Sequence, residues 1–249
     1  MPSPYSDSPE PHPRERSDSG ERGDSGEWWA PLFRELRQAA HPEKAAPMSA
    51  YMRDQFLFLG IKTPERRTIS QPLIKATATD PLDWDFVEAC WCQPEREFVY
   101  VACDYLTRHQ QQLTPADLPR LRQFIQRESW WDTSDVLDKF VGIIVQKNPS
   151  EKDTMRKWAQ DPNMWIRRVA IGHQRRFRGN TDTELLEEIL VANCGSDEFF
   201  INKAIGWALR EYSKTNAHWV WDFINRHRAE MSPLSVREGS KRLPELGGS

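Results

Sequence analysis

Proline and small polar residues punctuate the chain at short intervals, and five pairs stand out, Thr63-Pro64, Asp80-Pro81, Thr114-Pro115, Asp161-Pro162 and Ser232-Pro233. A capping oxygen followed by proline at the first helical position satisfies or removes amide donors that a helix leaves unpaired, so each pair reads as a helix start. Between these marks the apolar spacing is helical: Phe199, Phe200, Lys203, Ala204, Trp207, Ala208 and Glu211 follow the i, i+3, i+4, i+7 pattern. No alternating strand pattern and no Asn-Gly hairpin signal interrupts it. The expected class is all-α, with about a dozen helices of roughly 10 to 18 residues joined by short loops. Helix pairs recur at about 35 to 45 residues, as in Trp84 to Gln111, Thr114 to Lys147 and Ser150 to Phe177, which fits a solenoid of helical hairpins. Such a stack curves, and its concave face is a natural groove for an extended partner. A compact bundle is the competing architecture.

Charge narrows the partners only locally. The 249 residues carry 34 Lys and Arg against 37 Asp and Glu. Residues 1–27 hold seven of the acids, three arginines and five of the 18 prolines, with almost no large apolar side chain. That composition predicts a disordered acidic tail followed by one folded domain over residues 28–249. The remainder is nearly neutral, so a nucleic-acid surface has to be a patch. No apolar run approaches the roughly 18 to 20 residues of a membrane span, and the first residues lack the apolar core of a signal peptide; a cytoplasmic protein without a membrane partner is expected. The four cysteines, Cys90, Cys92, Cys103 and Cys194, form no CxxC pair. Neither a disulfide frame nor a metal site is expected.

Three segments carry candidate chemistry. Pro162 to Thr181 contains Arg167, Arg168, Arg175, Arg176, Arg178 and His173 without an acid. It reads as a phosphate-binding patch or as a solvated helix face. Trp165 lies three residues before Arg168, on the same helical face, where an indole and a guanidinium side by side would suit a sugar and its phosphate. Ser129-Trp130-Trp131-Asp132-Thr133-Ser134-Asp135 reads as a Ser-capped helix start with Asp135 one turn above Trp131. An acid against an aromatic wall can stabilise a developing cation; alternatively Trp131 is core and both acids serve the helix dipole. Glu198 to Tyr212 forms a helix with Gly206 at its centre beside Trp207. A mid-helix glycine costs roughly 1 kcal/mol relative to alanine, so it implies either access to the indole or close helix packing. Signatures for nucleotide hydrolysis, zinc hydrolysis and dinucleotide binding (GxxxxGK[ST], HExxH, GxGxxG) are absent, as is GxSxG, so no cofactor is expected.

Taken together, Trp130-Trp131-Asp132-x-x-Asp135, Trp165-Ile166-Arg167-Arg168 and the segment Phe199 to Tyr212 resemble the DNA alkylation repair family, in particular its AlkD-type DNA glycosylases. Pro42 to Ala45, Tyr51-Met52, Phe56 to Ile61 and Thr63 to Arg67 are similar to the same proteins, so the likeness runs from about Trp28 to Leu243. The resemblance implies a curved solenoid of HEAT-like repeats whose concave groove holds duplex DNA. It implies hydrolytic removal of cationic N3- and N7-alkylated purines without base flipping, by a monomer in the bacterial cytoplasm, on the nucleoid when bound to DNA. Carried over residue by residue, Asp135 matches the catalytic carboxylate, Trp131 and Trp207 the aromatic walls, and Arg168 a DNA-backbone contact. Tyr51, Trp165, Arg167, Arg175 and Lys203 join the expected DNA-binding set. Ser134 departs from the family, where that position is usually apolar, and the tail has no counterpart in compact members. A relative that binds distorted or branched DNA without excision, and a protein-binding scaffold, are the rival readings. The first would typically have lost the acid or an indole; the second would need no arginine patch beside an aromatic-carboxylate cluster.

Overall fold

A computed structural model describes residues 27–243. The expected acidic tail lies outside the described residues except for Glu27. Thirteen α-helices account for most of the described chain, with no strand among the described residues beyond a single bridge between Leu57 and Glu95.

Six helices form an inner layer: α3 (Thr63–Ala76), α5 (Arg96–His109), α7 (Trp131–Lys147), α9 (Met164–Gly172), α11 (Phe199–Tyr212) and α13 (Pro233–Ser240). Their first residues are 33 to 35 positions apart, and each packs on the next. Between them run the outer helices α4 (Trp84–Trp91), α6 (Leu118–Gln126), α8 (Lys152–Trp158), α10 (Thr183–Val191) and α12 (Ala217–His227). Helices α1 (Ala30–Gln38) and α2 (Pro42–Tyr51) precede the regular stack. The architecture is therefore a helical repeat, with a period at or just below the lower limit of the expected 35 to 45 residues.

The inner helices exist because they are apolar where they touch neighbours. In α7, Leu137, Phe140, Val141, Ile144 and Val145 recur at helical spacing and are almost fully buried. A single hydrophobic core runs from Trp29 to Met231, so the repeats share one interior. Truncating a leucine or isoleucine within it to alanine would cost about 2–5 kcal/mol.

The helix starts are partly as expected. Ser232 caps α13 by accepting from the Ser235 amide at 3.1 Å. Thr114 forms a reciprocal capping box with Asp117, although the turn it opens is a 3-10 helix ahead of α6. Thr63-Pro64 opens α3 without a side-chain cap. At Asp80-Pro81 and Asp161-Pro162 the helices begin later. Asp83 caps α4 and Asn163 caps α9, while Asp161 accepts from the Asn163 amide in the turn before it. Ser129 is not a cap: its hydroxyl donates back to the Ile125 carbonyl at 2.7 Å, and Trp130 occupies the N-cap position. Gly206 is a packing glycine, since a Cβ there would come within 2.5 Å of Glu238 Cβ. Helix α13 uses the space, which settles the choice between substrate access and packing.

Candidate active site

The first turns of α7 and the length of α11 face each other across a cleft of about 450 Å3, with Arg168 from α9 on its floor. The lining comprises Tyr51, Arg53, Trp130, Trp131, Asp135, Arg168, Phe199, Phe200, Lys203, Trp207 and Arg210. It holds one carboxylate, that of Asp135. A second cleft, on the α3 and α5 side, adjoins the first at Tyr51 and Trp131, which line both.

Asp135 is held by a fork. Arg168 Nε and Nη2 donate to its two oxygens, each at 2.8 Å, and Arg168 Nη1 donates to the Phe200 carbonyl at 2.6 Å. The arginine side chain is only 5% exposed and the aspartate 15%. A bidentate pair of this kind fixes the plane of the carboxylate while leaving its outward lone pairs free. The side facing the cleft is what Asp135 offers to a ligand. Trp131 stands one turn before it, with Tyr51 edge-on to the Trp131 ring at 6.1 Å. Tyr51 ends α2, is 73% exposed, and is followed by a turn in which Arg53 and Asp54 both take left-handed conformations, φ 57°.

The arginine segment is not the uncompensated patch its sequence implies. Its counter-charges come from α7, a helix distant in sequence. Arg168 pairs with Asp135, and both Arg175 and Arg176 pair with Asp138. Arg175 is buried behind the cleft, its guanidinium carbon 3.6 Å from the centre of the Trp207 ring. Arg167 turns back to donate to the Asp161 carbonyl at 2.8 Å and does not line the cleft. Trp165 is also absent from it: the ring is buried against Trp130 and Phe200, at 5.7 and 5.0 Å, so it does not stand beside the Arg168 guanidinium as a sugar platform. His173 is enclosed, with Nδ1 2.6 Å from the Ala170 carbonyl, and burial pushes it down to about 4. Of the expected site residues, Tyr51, Trp131, Asp135, Arg168, Lys203 and Trp207 meet at the cleft; Trp165, Arg167 and Arg175 do not.

Ser134 has a local explanation. It is buried, and its hydroxyl donates to the Trp130 carbonyl at 2.9 Å, so the polar atom is consumed inside its own helix.

Four features of the site escaped the sequence reading, the first being Arg53 in the turn after α2. Trp130, Phe199 and Phe200 complete its aromatic lining, although all three belong to the motifs already singled out. Arg210 shares a helix face with Trp207, three residues away, a signal that was available. Glu238 had no local signal. It sits on α13, is nearly buried, and receives Lys203 Nζ, Arg210 Nη1 and Lys241 Nζ, each at 2.8 Å. Lys203 and Lys241, chiefly, hold its carboxyl down at about 2. Three cations share one acid, which leaves this wall of the cleft positive.

Comparison with known proteins settles the lineage. The family model described as DNA alkylation repair enzyme matches residues 32–243, nearly all of the described chain. The chain belongs to that family. Among solved structures it is similar to a predicted DNA alkylation repair enzyme from Enterococcus faecalis, with 38% identity and a TM-score of 0.77 over 83% of this chain and 98% of that one. No curated protein matches it. Family membership carries a role in DNA repair and DNA as partner. Among the described residues no helix is long and apolar enough to cross a membrane, and no cluster of His, Cys, Asp or Glu could hold a metal ion.

Proposed function

We propose that this DNA alkylation repair protein is a monofunctional DNA glycosylase that hydrolyses the N-glycosidic bond of cationic N3- and N7-alkylated purines in duplex DNA, without flipping the base. The observation that carries the reading is a single carboxylate, Asp135, fixed by an arginine fork in a cleft walled by Trp131 and Trp207. An alkylated N3 or N7 already gives the purine a positive charge, so the base departs without protonation. The site then needs no general acid, and the cleft lining contains no second carboxylate and no histidine. The burden falls on the sugar, which becomes oxocarbenium-like as the bond breaks. A carboxylate about one water away stabilises that charge and directs the attacking water to C1′. Indole faces add about 0.5–2 kcal/mol each against a cation.

The remaining residues suit backbone contact. Lys203 and Arg210 line the same cleft and remain partly exposed, ready to meet phosphates without reading sequence. Arg168 is too enclosed for that task and serves Asp135 instead. A groove that meets the sugar edge has no need to unstack the base, which saves a few kcal/mol. Lys203 is engaged with Glu238, which favours water over a lysine Schiff base as the nucleophile. On this reading the protein works as a monomer on the bacterial nucleoid in the cytoplasm.

Lesion class tests the proposal. Duplexes carrying N7-methylguanine or N3-methyladenine should lose the base and leave an intact abasic strand. Duplexes carrying uracil or hypoxanthine should survive. Efficient uracil release, or a borohydride-trapped protein-DNA adduct, would refute it.

A further inference from the structure

One turn beyond Asp135 on the same helix, Asp138 is 1% exposed and lies outside the cleft lining. Its Oδ1 accepts from Arg176 Nη1 at 2.9 Å, and its Oδ2 accepts from Arg175 Nη2. Arg175 in turn spans two parts of the site. Its guanidinium lies against one face of the Trp207 indole, and its Nη2 also donates to the Asp135 backbone carbonyl at 3.4 Å. Space for this arrangement comes from Gly172 at the end of α9. A Cβ there would stand 2.4 Å from Asp138 Oδ2 and 3.3 Å from Arg175 Nε. Trp207 is further tied to Glu211, whose carboxylate Lys214 and the indole hold below its usual range against the effect of burial.

A bare guanidinium behind an indole would oppose a cation developing in front of it. Asp138, which Arg176 also meets, offsets part of that charge, so the guanidinium behind Trp207 is not bare. With one face covered by Arg175, the opposite face is the one left to the ligand.

We infer that Asp138 and Arg175 are positioning residues of this site, a buried strut that presents the free face of Trp207 and the Asp135 turn to the lesion sugar at a fixed separation. The inference rests on the glycosylase reading for its consequence in rate, and on geometry alone for its consequence at Trp207. Small misplacements at a reacting centre cost on the order of 100-fold in rate.

The test uses Arg175→Lys, Arg175→Met and the isosteric Asp138→Asn in the full chain. Each is measured by single-turnover release of N7-methylguanine, by affinity for the same duplex, and by tryptophan emission against a Trp207→Phe background. We expect release to slow by roughly 10- to 100-fold in Arg175→Lys and Arg175→Met, with affinity within about 3-fold of the unaltered protein. The emission of Trp207 should change in all three, and that change should vanish when Trp207 is Phe. Unchanged release and unchanged emission in folded variants would overturn the strut. An equal fall in affinity and rate would overturn it too, and would make Arg175 a DNA contact. If the unaltered protein releases no base, the glycosylase reading fails, while the emission of Arg175→Met still decides whether Arg175 holds Trp207.

Discussion

Asp132 and Asp135 stand one turn apart on α7, and each is gripped by an arginine from a neighbouring inner helix. Arg96 Nε and Nη2 reach the oxygens of Asp132 at 3.0 and 2.7 Å, much as Arg168 reaches Asp135 from the other side. The difference lies in the third partner: Asp132 accepts a further short hydrogen bond, whereas Asp135 has only the Arg175 guanidinium, 4.0 Å from its Oδ1. Tyr100 donates its hydroxyl to Asp132 at 2.6 Å, and burial together with that aspartate pushes the phenol far above its usual range. Arg96 is further fixed by the Glu128 carbonyl and lies over the Phe56 ring. Asp132 is thereby a staple between repeats. Asp135 keeps its outer side for the cleft. Residue type and pairing do not distinguish a structural from a chemical carboxylate here; saturation does.

Exchanging each carboxylate for its amide should break the comparison most visibly in stability. Asp132→Asn leaves Arg96 buried without its counter-charge and should cost about 3–5 kcal/mol in urea unfolding. Asp135→Asn, at a more open position, should cost less. Equal losses would mean that Asp135 is a second staple.

A smaller effect separates Arg168 from a phosphate contact. Arg168→Met should slow excision by on the order of 10-fold or more because the fork that aims Asp135 is gone. It should leave the salt dependence of duplex affinity unchanged. A flatter dependence on log salt, by about one contact, would return Arg168 to the DNA backbone.

The fold was largely legible in the sequence, because a helical repeat is written in local signals. Apolar period and Pro-marked starts located the hairpins from Trp84 to Phe177; the errors were in where a cap sits and in helix length, since several helices, such as α8 with seven residues, are shorter than expected. The motif residues Trp131, Asp135 and Trp207 also fell together at one cleft. What could not be read was pairing across repeats. Arg168 and Asp135 are 33 positions apart, Arg175 and Asp138 37. A segment without acids looked uncompensated because its acids lie on the preceding inner helix. Glu238 was invisible for the same reason: its partners Lys203 and Arg210 belong to a different helix.

Acid titration sharpens the contrast among the carboxylates. Glu238 is held at about 2, below the ordinary 4.5, so it contributes stability above pH 4.5 that is lost as pH falls toward 2. Asp138 is pushed the other way, to about 6 from 3.8, by burial acting against Arg175 and Arg176. Its raised value favours folding below pH 3.8, and that contribution disappears as pH rises through about 6. The gap in melting temperature between the unaltered protein and Glu238→Gln should therefore shrink between pH 4.5 and pH 3. A gap independent of pH would show that Glu238 acts through packing alone. The smallest expected effect is in DNA affinity: Lys203→Ala should flatten the salt dependence by about one phosphate contact.

The most direct test of Asp135 as the catalytic carboxylate is single-turnover release of N7-methylguanine from a duplex by the unaltered protein and by Asp135→Asn, with folding verified by circular dichroism. The account predicts that the unaltered protein releases the base and that Asp135→Asn does so roughly 100-fold more slowly or worse while still binding the duplex. Release by folded Asp135→Asn at the unaltered rate would contradict it.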